Sequence, residues 1–323
     1  MGDGSWATAL IHILTETLQE VNWWIRKPEN VDYIYNYGYN PKYLSSVRIN
    51  KDFISPSSDL EAVIRDSDIV LLVIPAAYIS GALANLPEDI FKGKKVVSAI
   101  KGMIPERDIL VTDLVQEMFH VPEEDIAIIS GPCHAEEVAL GRQSYLTIAG
   151  ENETTNEEVA SVLRCRFVNV STINDLVGVE YAAVMKNIIA LAGGIARGLD
   201  FGDNFQAVLV SNAMTEIERL VTAIAPKERD LNRSPYLGDL LVTCYSQFSR
   251  NRTFGNMIGR GYTVRSAIVE LGMVAEGYYA AKSIHSKLAG LNIDMPITKT
   301  VYNILYEKIS PSIEYQLLKG ILK

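Results

Sequence analysis

The chain has 323 residues, 48% of them hydrophobic and 21% charged, with a formal net charge of −9. That length suits two domains with a sizeable core, and the acidic balance argues against a dedicated nucleic-acid surface. Anionic ligands then have to be held by a few local cations and by helix N-termini, which fits a small phosphorylated substrate. Cys133, Cys165 and Cys244 lie far apart with no C-x-x-C pattern, which points to a reducing cytoplasm rather than to a disulfide framework or a zinc site. His12, His120, His134 and His285 show no metal-ligand spacing, so no metal is expected.

The chain opens with Gly2-Asp-Gly-Ser-Trp-Ala7, followed by a helix-like run from Thr8 to Glu20. This is G-x-G-x-x-A, the Rossmann dinucleotide fingerprint with Ala at its third position. Gly2 permits the tight turn, and Gly4 lets backbone amides approach a pyrophosphate. Ala7 allows close helix packing, and Ser5 and Trp6 stand at the helix N-terminus that faces the anion. A flexible glycine-rich terminus is the plain alternative. The fingerprint also needs an apolar strand of about five residues leading into the turn. Only Met1 precedes Gly2, so the central strand is expected to be absent, leaving its neighbours' ladders unpaired and their apolar faces open to water. On this reading the sequence begins at an internal methionine or has been trimmed, and upstream residues restore full folding and cofactor binding.

Val21 to Arg26 reads as the next strand. At its end the fingerprint position that selects NAD carries Arg26-Lys27-Pro28-Glu29 instead of an acid. Those two cations suit the 2′-phosphate of NADP or the adenine face, or else form a solvated turn, so NAD and NADP both stay open. Further apolar runs at Ile69–Ile74, Lys95–Ile100, Ile126–Ile129, Tyr145–Ile148 and Phe167–Val170 alternate with helical stretches at Leu60–Ile64, Ile109–Phe119 and Glu157–Leu163. That alternation predicts a parallel, doubly wound α/β sheet over residues 1–173. Ile69 to Leu86 carries no charge and is about one bilayer span long. Pro75, Ser80 and Gly81 interrupt it, so a strand turning into a helix is expected, with no stable membrane insertion. No basic stretch followed by an apolar one opens the chain, so no secretory leader is expected. From Gly178 onward the patterns are helical, at Val179–Ile195, Asn204–Ile224, Thr263–Leu271 and Val274–Leu288, predicting an all-helical domain over residues 174–323.

Seven segments in order resemble the bacterial NAD(P)-dependent glycerol-3-phosphate dehydrogenase family: Gly2–Ala7, Ile100-Lys-Gly-Met103, Gly131-Pro-Cys-His-Ala-Glu-Glu-Val138, Gly178-Val-Glu-Tyr-Ala-Ala-Val-Met-Lys-Asn187, Gly238-Asp-Leu-Leu-Val-Thr-Cys244, Ser249-Arg-Asn251 and Val274-Ala-Glu-Gly277. The likeness spans nearly the whole chain. It implies interconversion of sn-glycerol 3-phosphate and dihydroxyacetone phosphate with NAD or NADP, feeding glycerophospholipid synthesis.

The resemblance makes Lys186 the general acid–base at the C2 hydroxyl, where a snorkelling lysine is the plain alternative. Burial and a second cation, Lys101, should depress its pKa. Lys101 is also expected to attract substrate and cofactor. Asp239 and Thr243, four apart and hence on one helix face, would orient Lys186 and hold a substrate hydroxyl. Ser249, Arg250 and Asn251 would grip the substrate phosphate, with Arg250 also near the cofactor. Gly131 and Cys133 are carried over to the substrate, and Ala135, Val274 and Glu276 to the cofactor. Cys133 stands where the family more often has Ser, so a weak thiol replaces a hydroxyl donor. A catalytic His134 is disfavoured, since no nucleophile motif accompanies it. The rival readings are a related two-domain hydroxy-acid dehydrogenase and a non-catalytic, degenerate nucleotide-binding fragment. The oligomeric state stays open between monomer and homodimer.

Overall fold

A computed structural model describes all residues, Met1–Lys323. In chain order the elements are α1 (Ser5–Thr17), β1 (Val21–Trp24), α2 (Pro28–Tyr37), β2 (Ile54–Ser57), α3 (Leu60–Arg65), β3 (Ile69–Leu72), α4 (Ala76–Leu83), β4 (Lys95–Ser98), β5 (Met103–Ile104), β6 (Ile109–Leu110), α5 (Val111–Phe119), β7 (Ile126–Ser130), α6 (Ala135–Ala139), β8 (Ser144–Ala149), α7 (Glu153–Leu163) and β9 (Val168–Ile173). Helices follow: α8 (Leu176–Gly198), α9 (Asp203–Ile224), α10 (Asp239–Tyr245), α11 (Arg250–Gly259), α12 (Val264–Leu271), α13 (Glu276–Leu288), α14 (Pro296–Leu305) and α15 (Pro311–Leu318). The chain forms two compact units. One comprises Met1–Ile74, Tyr78–Ile100 and Val111–Leu176, and the other Pro75–Ala77, Lys101–Leu110 and Val177–Lys323.

The first unit is the α/β layer structure that the apolar runs predict, with two departures. Its strands form two sheets, β1–β2 and β3-β4-β7-β8-β9, instead of one. Met1 and Gly2 stand between them. The Met1 nitrogen donates to the Leu71 carbonyl at 2.8 Å and the Val73 N–H donates to the Met1 carbonyl at 3.0 Å, while the Gly2 N–H donates to the Trp24 carbonyl at 3.1 Å. Two residues therefore occupy the position from which a whole strand was expected to be absent. Gly2 is obligatory there: its φ is +117°, and a Cβ would lie 2.4 Å from the Val73 carbonyl oxygen.

The second departure is direction. β7 and β8 are antiparallel, whereas the β1–β2, β3–β4, β4–β7 and β8–β9 pairs are parallel. The helix between β7 and β8 has only five residues, too little for the crossover that a parallel pair requires. The apolar faces of α1, β1 and α7 close the core around Leu10, Ile13, Trp23, Ile25, Val159 and Leu163. Ile69 to Leu86 is β3 running into α4, as expected of that uncharged stretch.

In the second unit α8 is almost entirely buried, with Val184, Met185, Ile188 and Ile189 at 0% exposure. It is long and apolar enough to cross a membrane, but its side chains are covered by the protein itself. The hairpin β5–β6 also belongs here. The region that Ile109–Phe119 predicted as one helix begins with β6 and becomes helical at Val111.

Candidate active site

Helix α8 carries two adjacent buried polar residues, Lys186 and Asn187, on a largely apolar rod whose other charged residues are the buried Glu180 and Arg197 near its end. A lysine only 6% exposed requires partners. The Lys186 Nζ donates to Asp239 Oδ1 and, at 3.0 Å, to Thr243 Oγ1. Lys101 Nζ donates to the other carboxylate oxygen, Asp239 Oδ2, at 2.7 Å. One carboxylate thus bridges two ammonium groups.

The local structure explains how that carboxylate is held. Ser234–Gly238 winds as a wide π-helical turn that leads directly into α10, and Asp239 is the first residue of the new helix. The N-terminal end of a helix favours a negative side chain. One turn later the Thr243 hydroxyl donates back to the Asp239 carbonyl at 2.6 Å, so its oxygen is turned to accept from Lys186. The four-residue spacing read from the sequence is what places both on one face.

Charge and burial set the proton affinities. Burial pushes the Lys186 amine down, Asp239 pulls it up and the Lys101 charge pushes it down again; it settles at about 7, from an ordinary 10.5. Burial alone would raise the Asp239 carboxyl, but Lys101 and Lys186 together hold it below the usual carboxylate range. A lysine near neutrality with an oriented lone pair can both accept and return a proton.

A second chain of contacts fixes Lys101, and the sequence reading missed it. Asn187 Nδ2 donates to the Lys101 carbonyl at 2.6 Å, and Asn251 Nδ2 donates to Asn187 Oδ1 at 2.9 Å. Asn251 Oδ1 in turn accepts from the Gly277 N–H at 2.9 Å. Gly277 has no room for a side chain, since a Cβ would lie 2.4 Å from the Asn187 carbonyl oxygen. α8, α11 and α13 meet here at backbone distance. The only signal in the sequence was a polar residue directly after Lys186 in an apolar helix.

The remaining expected site residues are distributed as follows. Ser249 is the N-cap of α11, its Oγ accepting from the Arg252 N–H at 3.3 Å, so its hydroxyl oxygen serves the helix. Asn251, expected on the phosphate, has its oxygen and an amide N–H engaged by Gly277 and Asn187. Arg250 is exposed in the first turn of α11. Val274 is half-buried just before α13. Glu276 begins α13 with Oε1 accepting from the Ala76 N–H at 3.0 Å, and burial raises its carboxyl to about 7 against the opposing effects of that N–H and Arg250.

In the first unit, Gly131 follows β7 with φ +107°, Cys133 packs against the apolar core, and Ala135 starts α6. None of the three cysteines is in a disulfide. The Gly4 N-cap of α1 has no side-chain cap, and no acid stands in the first turn. The amides of Ser5, Trp6 and Ala7 therefore remain for an anion. The Trp6 indole N–H is buried without a partner. Arg26 is exposed, and Lys27 pairs with Glu29 at 3.2 Å.

Two family models match, described as the N-terminus of NAD-dependent glycerol-3-phosphate dehydrogenase over residues 1–156 and its C-terminus over residues 175–316. Glycerol-3-phosphate dehydrogenase [NAD(P)+] of Staphylococcus carnosus is 33% identical over 321 residues, covering 99% of this chain and 96% of that protein. The chain belongs to this family. The enzyme of the same name from Clostridium botulinum is 36% identical over 313 residues, covering 97% of this chain and 94% of its own. A crystal structure of glycerol-3-phosphate dehydrogenase from Coxiella burnetii superposes with a TM-score of 0.91 at 30% identity, covering 98% of this chain and 96% of that one. A ketopantoate reductase from Ralstonia eutropha shares only the fold, with a TM-score of 0.60 and 18% identity.

Proposed function

We infer that the chain is an NAD(P)-dependent glycerol-3-phosphate dehydrogenase interconverting sn-glycerol 3-phosphate and dihydroxyacetone phosphate. The observation that carries the mechanism is the buried Lys101–Asp239–Lys186 cluster. In the oxidative direction the neutral Lys186 amine accepts the C2 hydroxyl proton. In the reverse direction the ammonium returns that proton to the developing alkoxide. Asp239 and Thr243 hold the Nζ in one orientation, and the Lys101 ammonium stabilises negative charge on the reacting oxygen. Since one carboxylate serves two lysines, proton loss from Lys186 leaves the trio neutral and keeps the amine basic enough to act.

The bound nicotinamide dinucleotide supplies the two-electron donor or acceptor. The uncapped α1 N-terminus, the amides of Ser5, Trp6 and Ala7 and the partnerless Trp6 indole N–H suit its diphosphate, with Gly4 at the turn. Arg26 suits the adenosine end, with Gly2 forming the turn and Lys27 nearby. Arg250, at the open end of α11, is the cation we assign to the substrate phosphate, with Ser249 and Asn251 holding that helix start in place. Gly131, Cys133, Ala135, Val274 and Glu276 keep the substrate and cofactor roles that the family likeness implies. We place the enzyme in the cytoplasm, supported by three reduced cysteines, with its product directed to glycerophospholipid backbones.

The test is a substrate panel followed at the nicotinamide absorbance. Turnover of sn-glycerol 3-phosphate should exceed that of unphosphorylated glycerol and of 2-hydroxy acids by at least about a hundredfold, the scale of a lost charge-assisted contact. Equal turnover of a hydroxy acid would overturn the assignment.

A further inference from the structure

A fold that binds NAD through a glycine turn ordinarily sets a carboxylate at the end of the following strand, where it accepts from the adenosine ribose hydroxyls. After β1 the chain has Arg26 and Lys27 there instead. The same corner of the first unit nevertheless holds an acid. Asp3, between Gly2 and Gly4, has its Oδ2 3.5 Å from the Asn30 Nδ2 in the first turn of α2. That distance is the outer limit of a hydrogen bond, so both groups keep bonding capacity for a ligand. The carboxylate lies between the residues that open α1, assigned above to the diphosphate, and the first turn of α2, just past the end of β1.

The backbone that carries Asp3 is fixed. Asn40, 1% exposed in the segment between α2 and β2, donates to the Asp3 carbonyl at 2.9 Å and to Thr8 Oγ1 at 2.8 Å. Its Oδ1 accepts from the Lys42 and Tyr43 N–H groups, each at 3.0 Å. The Thr8 hydroxyl donates onward to the Gly4 carbonyl at 3.0 Å. Rotating the Asp3 peptide would leave a buried amide without its acceptor, which is costly. Charge then decides what this corner accepts. The Lys27 ammonium is 3.2 Å from Glu29 Oε1, and Arg26 is exposed. The charges of these three residues and of Asp3 cancel, so they offer no net attraction to the roughly two negative charges of a 2′-phosphate.

We propose that Asp3 selects the cofactor: its carboxylate accepts from the vicinal hydroxyls of an unphosphorylated adenosine ribose and repels a 2′-phosphate, so that the chain takes NAD in preference to NADP. Asn30 donates to the same sugar, and Asn40 is the positioning residue that holds the Asp3 backbone. The selecting acid has thus moved from the strand end into the glycine turn, which frees Arg26 for the adenine face. This rests on the dinucleotide reading above.

The experiment titrates NAD and NADP into the full chain without substrate and follows tryptophan fluorescence. NAD should bind at least about tenfold more tightly than NADP, the scale of one like-charge contact at a protein surface. Asp3→Asn keeps the shape and removes the charge, and should lower that ratio at least about tenfold by weakening NAD and strengthening NADP. Asn40→Ala should lower the ratio as well, whereas a merely structural role would weaken both cofactors alike. Equal affinities in the intact chain, a preference for NADP, or a ratio unmoved by Asp3→Asn would overturn the proposal and leave the dinucleotide site standing. Binding of neither cofactor would overturn both. Should the variants not fold, the intact chain decides alone: raising salt from about 0.05 M to about 0.5 M should narrow the ratio at least about threefold, because screening relieves the repulsion. A ratio that salt leaves unchanged or widens takes the selection away from Asp3.

Discussion

Asp239 and Glu216 are each 1% exposed in the helical unit, yet their carboxyls move in opposite directions. Asp239 sits between two ammonium groups and stays ionised. Glu216, on α9, meets only neutral donors: the Ile297 N–H at 2.5 Å, the Thr298 N–H at 3.1 Å and the Thr298 hydroxyl at 2.7 Å. Burial raises it to about 7, against the downward pull of those three donors and with a small upward push from Asp294. Three hydrogen bonds at the start of α14 thus fail to offset desolvation, whereas two adjacent cations overcome it. Only the first arrangement keeps a permanent charge beside a lysine near neutrality, and it is the one to which we assign the proton transfer. The second is a helix cap.

The largest test of this contrast removes one cation. Lys186→Ala should lower kcat by about three orders of magnitude, the scale of a positioned acid–base group. Dinucleotide affinity, read by fluorescence titration, should stay within about twofold, because the proposed dinucleotide site at the start of α1 does not include Lys186. A variant that kept near-normal turnover would end the role assigned to Lys186.

Removing the anion comes next. Asp239→Asn leaves two ammonium groups sharing a neutral amide and should cost about 3–5 kcal/mol in urea unfolding, as for a broken buried pair. It also withdraws the attraction that raises the Lys186 amine, so that amine falls below its present value near 7. The base form dominates above its pKa. Alcohol oxidation by the intact enzyme should therefore rise with pH through about 7, and in the residual activity of the variant that rise should shift to lower pH. An unshifted profile would mean that a different group titrates.

Glu216→Gln addresses the other carboxyl. Its folded value of about 7 lies above the unfolded 4.5, so its contribution to stability is full below pH 4.5 and lost as pH rises through 7. The swing is about 3 kcal/mol. Measured against Glu216→Gln at each pH, the intact chain should lose roughly that amount between pH 4.5 and 8. A flat difference would mean that the three donors outweigh burial after all.

How much of this was legible in the sequence depends on the range of the interaction. Continuous apolar runs such as Ile69–Leu72 revealed the strands, and the four-residue step from Asp239 to Thr243 survived because α10 is a helix. β2 went unread because Ile-Ser-Pro-Ser carries one apolar side chain and a proline, tolerable on a strand paired on one side only. The direction of β8 was invisible, since a run of apolar residues has no polarity. α11, α14 and α15 are short and held by packing more than by local pattern. The Asn187–Asn251–Gly277 link is made of bonds between residues 64 and 26 apart in the chain, and no local spacing encodes it. The likeness to a family singled out Lys101, Lys186, Asp239 and Asn251; the structure joins the first three in one cluster and engages the Asn251 amide with Asn187 and Gly277.

Glu276 completes the series and yields the smallest effect. It has one cation, Arg250, at electrostatic range and no ammonium in contact, and its carboxyl sits at about 7, with Glu216 rather than with Asp239. One unpaired arginine therefore perturbs its neighbour only slightly and keeps its own guanidinium for an anion. Arg250→Ala should raise the KM for sn-glycerol 3-phosphate about tenfold, the worth of one charge-assisted contact to phosphate, with kcat within about twofold. The Glu276 carboxyl should rise a little further in the same variant, since the guanidinium is one of the influences lowering it, and a carboxyl-resolved NMR titration would show the change. An unaltered KM together with a shifted Glu276 would leave Arg250 as the partner of that carboxylate and remove it from the phosphate, because the two roles draw on the same charge.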